Sequence, residues 1–238
     1  MIQTLRKAIG FMPIEKSQIV QIALDILNRD GLEGVTLRRL ANELKIKAAS
    51  IYWHIPNKSE LLDEMANAIL DKRFNALDIE NDKREWDEWL NTLAHELRAA
   101  MLVYQDGARV VAGTHPDINQ VLLKLWDLTI RVLHNAGFSY GMAATITVTV
   151  INFTFGSVIE EQSSQLPESG PKIQRANLPL VLKSALEEWQ NENNDKRFDT
   201  AVRIIINGVH AELNVQSSRQ NQISSGEVCC PPHQNNSK

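Results

Sequence analysis

"GLEGVTLRRLANELKIKAASIYWHIPNKSELLD", residues 31–63, decides how this chain is read. Thr36 is a hydroxyl N-cap, and Leu37, Leu40, Ala41 and Leu44 follow it at helical spacing. Only Lys45-Ile46-Lys47-Ala48 separates this helix from a second short segment, "AASIYWHI" at 48–55. Ile51 and Ile55 are four residues apart and share a face. At ~100° per residue, Ala49, Ser50 and Trp53 point away from that face, and Tyr52 and His54 flank it. The aromatics therefore rim an exposed surface instead of filling a core. Pro56 ends the segment, and Lys58 opens the next helix. Two short helices joined by a tight turn, after a longer helix, make a helix-turn-helix.

A face of small residues can lie in a DNA major groove, with its polar and aromatic neighbours reaching bases and phosphates. Arg38 and Lys47 border it, and Lys58 adds a cation at a helix N-terminus, a ready phosphate site. Charge agrees: residues 1–60 hold nine Lys or Arg and six Asp or Glu, while the whole chain carries −4. A basic head on an acidic body suits a polyanionic partner. The competing reading is an all-α carrier or enzyme whose head only packs, with Tyr52 and Trp53 against the body.

The chain has 238 residues, 43% hydrophobic and 23% charged, an ordinary globular composition. Nearly everything ordered reads as helix. "IEKSQIVQIALDILNRDG" carries a broad apolar stripe that Gly31 stops. "NKSELLDEMANAILDKRF", "WDEWLNTLAHELRAAMLVY", "INQVLLKLWDLTIRVLHNAG", "LPLVLKSALEEWQ" and "FDTAVRIIINGVHAELN" follow. "TITVTVINFTFG" at 145–156 has strand composition, but no second strand-like run exists to pair with it. A helix buried on most sides is expected. No apolar run reaches the ~20 residues of a bilayer span, and the first residues lack the features of a signal peptide, so a cytoplasmic protein is expected. The polar segment after Leu213 reads as disordered, with Cys229 and Cys230 as exposed thiols in it.

Enzyme chemistry finds little support. The six histidines show no metal-binding spacing, and no phosphate loop or nucleophile elbow is present. Neither a cofactor nor a metal is expected. Glu160-Glu161 reads as a solvated or dimer-facing pair, since adjacent helical residues point to different faces.

Gly-x-x-Gly-x-Thr-x-Arg-x-Leu-Ala followed by Ile-Tyr-Trp-His-x-x-Asn-Lys-x-x-Leu-Leu resembles the helix-turn-helix of the TetR family of repressors. "YQDGARVVAGTHP", "LHNAGFS" and "NFTFGSVIEEQ" resemble the body of its tetracycline-repressor type. The likeness covers about residues 16–165 and fades after that. It implies an all-α homodimer that binds a palindromic DNA operator and releases it for a small-molecule inducer. The divisions expected are a DNA-binding domain at 12–60, a connecting helix and loop at 61–85, a ligand-binding and dimerisation domain at 86–213, and a tail at 214–238. Matching positions place Thr36, Arg38, Ser50, Tyr52, Trp53, His54 and Lys58 in DNA contact, with Lys47, Ala48 and Ala49 completing the reading surface. Ala48-Ala49 stands where the tetracycline-repressor type has Gln-Pro, so a different operator is expected.

The resemblance also places a ligand site. Phe74 and Val111 stand where that type has histidines, Leu93 where it has asparagine, Leu97 where it has phenylalanine, and Asp127 where it has glutamine. Thr114 and Glu160 persist, and Trp126 joins the lining. Such a site suits a largely apolar inducer, with the two acids hinting at an amine.

Overall fold

The computed structural model describes residues 14–75, 83–114, 119–164 and 178–224. Among these, every regular element is a helix. The head holds α1 (Lys16–Gly34), α2 (Leu37–Glu43) and α3 (Ala48–Tyr52), and α4 (Lys58–Phe74) leads out of it. The body holds α5 (Trp86–Leu102), α6 (Gly107–Ala112), α7 (Gln120–Asn135), α8 (Tyr140–Ser163), α9 (Leu180–Gln190) and α10 (Asn194–Ser224).

Short polar side chains set the helix starts. Thr36 Oγ1 accepts from the Arg39 N–H at 3.2 Å, Asn57 Oδ1 from Glu60 at 2.9 Å and Asn119 Oδ1 from Leu122 at 3.0 Å. Each satisfies an N–H that the first turn leaves without a helical partner. The core is continuous from head to body. It runs from Ile19, Leu24 and Leu27 through Leu40, Ile51 and Ile55 to Leu61, Met65 and Ile69, then into Leu93, Leu97, Val111 and Leu125. The connecting helix α4 packs on both α1 and α6, so head and body share one core.

Gly31 has φ 68° and ψ −177°, and α1 continues beyond it for one turn instead of stopping there. Only glycine adopts that backbone without strain. The break turns the Leu32 N–H toward Asp106 Oδ2, which accepts it at 2.9 Å. A Cβ on residue 31 would stand 2.9 Å from that same oxygen. Gly107 is needed for a different reason, because a Cβ there would meet the Met101 carbonyl oxygen at 2.2 Å.

The strand-like run 145–156 lies inside α8, as expected. The hydroxyls of Thr145, Thr147, Thr149 and Thr154 each donate to the carbonyl four residues back, which lets threonine sit inside a helix. Burial on most sides is not what forms. Ala143, Ile146, Thr147, Val150, Ile151, Thr154 and Val158 are buried. Gly141, Thr145, Thr149, Asn152, Gly156 and Glu160 make an exposed stripe on the other side. Against the sequence reading, α8 is long and apolar enough by length and composition to cross a membrane. Its apolar side chains form a core-facing stripe instead. The final helix also runs on to Ser224, past the expected start of a disordered tail at 214. Cys229 and Cys230 lie outside the described residues.

Candidate functional site

The head presents the expected surface. Ile51 and Ile55 are wholly buried, and between and beside them Ala48, Ala49, Ser50, Tyr52, Trp53 and His54 are exposed. Trp53 is 88% exposed, which excludes packing against the body. A tryptophan that stays this open in a folded protomer is available to a partner surface. Thr36 is exposed, and its hydroxyl keeps a free proton for donation while its oxygen caps α2.

Electrostatics divides the basic residues into two groups. Arg29 pairs with Asp30 and with Glu43 at 2.7 Å, and Arg39 pairs with Asp30 at 2.6 Å. The Asp30 carboxyl is held below its ordinary value chiefly by the hydrogen bond from Arg29, with Arg39 adding to it. This network ties α1 to α2 and engages both arginines. Lys16 is likewise paired with Glu64 at 2.6 Å. Arg38, Lys45, Lys47 and Lys58 are exposed and make no ion pair among the described residues. Two of these cations lie in the turn before α3, and the other two lie on the helices before and after it. Lys45 was not among the residues singled out from sequence. It holds φ 56° in the turn between α2 and α3, a conformation uncommon for a side chain of its size. The signal available in sequence was the Lys-x-Lys spacing in the turn between the two helices.

In the body, Phe74, Leu93, Leu97 and Val111 are buried on α4, α5 and α6, which pack on one another. Thr114 is buried and its hydroxyl donates to the Val111 carbonyl at 2.8 Å. Trp126 is half-buried on α7. Two expected members fall elsewhere. Asp127 is 68% exposed on its side chain and pairs with Arg131 on the outer face of α7. Two residues on, Thr129 faces inward, wholly buried, and its hydroxyl accepts from Trp89 Nε1 at 2.9 Å. Glu160 lies on the exposed stripe of α8, beside a groove of about 450 Å³ lined also by Phe153, Trp189, Arg197 and Phe198. Its neighbour Glu161, expected to be solvated or dimer-facing, is half-buried and accepts a bidentate pair of hydrogen bonds from Arg98.

The start of α6 grips the end of α1. Besides the Asp106–Leu32 bond, the Gln105 N–H donates to Asn28 Oδ1 at 2.9 Å. Val111 and Thr114 sit at the other end of α6. One short helix thus touches both the head and the apolar core of the body.

A helix-turn-helix head on an all-helical body, joined by a shared core, defines a class of DNA-binding regulator. The chain belongs to the TetR family of bacterial regulatory proteins. Its residues 19–65 match the model of bacterial regulatory proteins of that family, and residues 80–213 match the tetracyclin repressor-like C-terminal domain. It is 34% identical over 198 residues to the class A tetracycline repressor of transposon 1721 from Escherichia coli, covering 82% of this chain and 90% of that one. Among solved structures, it is similar to a variant of TetR from Acinetobacter baumannii AYE in complex with minocycline, at 30% identity and TM-score 0.66, over 83% of this chain and 97% of that one. It is also similar to BioQ with its double-stranded DNA operator, at 30% identity and TM-score 0.58, over 64% of this chain and 90% of that one.

Proposed function

We propose that two copies of this chain bind a palindromic operator in the cytoplasm, repress transcription there, and leave it when a small, largely apolar inducer enters the body. The observation that carries the reading is the exposed α3 face, held by two buried isoleucines and accompanied on α2, α4 and the turn before α3 by four exposed cations without ion pairs among the described residues. A relative bound to its operator and another bound to minocycline support both halves of it. No catalytic step is assigned.

Ala48, Ala49, Ser50, Tyr52, Trp53 and His54 would face the major groove, with Thr36 and Lys58 on phosphate and Arg38 at a base edge. The inducer would lie among Phe74, Leu93, Leu97, Val111, Thr114 and Trp126. Displacing α6 there would pull on Asp106 and so on the end of α1, changing how the head meets DNA. The outer stripe of α8 and the exposed part of α10 would form the two-fold contact. Paired reading helices would then sit about 34–36 Å apart, one turn of DNA.

Gel retardation on DNA upstream of the protein's own gene tests the reading. Sequence-specific, salt-sensitive retardation supports it, and none at low salt overturns it. Sedimentation velocity at micromolar concentration should give a dimer. Lys58→Ala should weaken binding to all DNA sequences alike and lower the salt slope by about one per subunit. Arg38→Ala should relax preference at one base pair per half-site, costing roughly 1–3 kcal/mol per contact. An unchanged operator preference in a binding selection would remove Arg38 from base reading.

A further inference from the structure

Asn119, Leu122, Trp126, Thr129 and Leu133 follow one another at intervals of three and four, so they share the inward face of α7. Leu122, Thr129 and Leu133 are buried there. Asn119 is 0% exposed. Its Oδ1 caps the helix, but its Nδ2 is buried without a hydrogen-bond partner among the described residues. The indole Nε1 of half-buried Trp126 is a buried atom without a partner among the described residues, and so is Oδ1 of half-buried Asn67 on α4. Asn67 shares its face with Leu70 and Phe74, three and seven residues on, and α4 packs against α7.

Leaving such an atom unmet is costly, and folded cores leave few of them. The same core shows the ordinary solution, since Trp89 Nε1 is satisfied by Thr129. Three unmet groups on two facing helices instead match the needs of a ligand. Two of them are donors and ask for acceptor oxygens. The third is an acceptor and asks for a hydroxyl. Along α7 the two donors are separated by ~10 Å of helix rise, and the indole leans back toward the N-terminus. A molecule of two or three fused rings reaches both.

We propose that Asn119, Trp126 and Asn67 form the polar contacts of the inducer site and select a flat, uncharged, hydroxylated aromatic ketone. This rests on the regulator reading for its consequence, DNA release, but not for binding itself. An amine is disfavoured. Asp127 and Glu160 lie on exposed faces of α7 and α8, and Asp63, buried one turn before Asn67, already has a partner.

The test uses the full chain and four probes: 3-hydroxyxanthone, xanthone, xanthene and the cation 9-aminoacridine. Tryptophan-fluorescence titration should rank them in that order, with 3-hydroxyxanthone at least about tenfold tighter than xanthene. Trp126→Phe keeps a ring without the N–H, and Asn119→Asp keeps the capping oxygen without the donor. Each should cost 3-hydroxyxanthone about tenfold and leave xanthene within about threefold. Without ligand, Trp126→Phe should melt at or above the wild-type temperature, because it removes an unmet donor; a purely structural tryptophan would lower it. Equal affinity for 3-hydroxyxanthone and xanthene, tightest binding by 9-aminoacridine, or no binding by either ketone overturns the proposal even if both variants misfold, since the wild-type ranking stands alone. Operator retardation in parallel separates the two readings. Intact DNA binding with no ketone preference removes the site and keeps the regulator, and ketone binding without DNA binding does the reverse.

Discussion

Arg98→Ala is expected to cost about 1–3 kcal/mol of stability, because it strands a half-buried carboxylate that accepts two of its hydrogen bonds. Arg98 on α5 and Glu161 on α8 have side chains only 11% and 13% exposed. The guanidinium donates from Nε and Nη2 to the two carboxylate oxygens, at 3.1 and 3.0 Å. It also reaches Asp195 at 2.7 Å and lies 5.1 Å from the centre of the Phe198 ring. The Asp195 contact adds little, because that carboxylate is exposed and screened. Removing the arginine leaves Glu161 half-buried on α8 without the cation that balances it. Replacing both with leucine should recover most of the loss, since an apolar pair avoids the desolvation of two ions. Urea unfolding of both variants at one protomer concentration measures this, because dimer stability depends on concentration. A loss below about 1 kcal/mol for Arg98→Ala would mean that the pair is solvated in solution.

Calorimetric titration with magnesium and tetracycline is expected to show no saturable binding up to ~1 mM, although the chain is one-third identical to tetracycline repressors. The positions that resemble the histidines of that drug site hold Phe74 and Val111, which have no lone pair for a metal or for a metal-bound drug. Both are packed in the apolar core, as are Leu93 and Leu97. Thr114 remains, but its hydroxyl proton is engaged by the Val111 carbonyl. A tetracycline repressor run alongside is the positive control. Micromolar binding by this chain would show that the drug uses a different set of side chains, and the apolar inducer site would have to be abandoned.

The head was legible from sequence because its signals are local. The Thr36 cap acts over three residues, and the Ile51–Ile55 spacing fixes one face of a helix whose other face must then be open. A four-residue connection leaves little choice in how the two helices meet. Helical content was legible elsewhere for the same reason, even at 145–156, where the threonine hydroxyls return to their own helix.

What only the tertiary structure decided is which side chains meet across the fold. Asp127 was expected inward and Thr129 was overlooked. Two residues of offset on a helix turn a side chain by about 200°, enough to move it from core to solvent. Sequence likeness tolerates such an offset, whereas packing does not. The Asp106 grip on Leu32 and the Arg98–Glu161 pair join residues 74 and 63 positions apart, and no periodicity reports a contact of that range. The unmet donors of Asn119 and Trp126 are more hidden still. A sequence shows that a polar group exists, but only the packed neighbours show that nothing is there to receive its hydrogen bond.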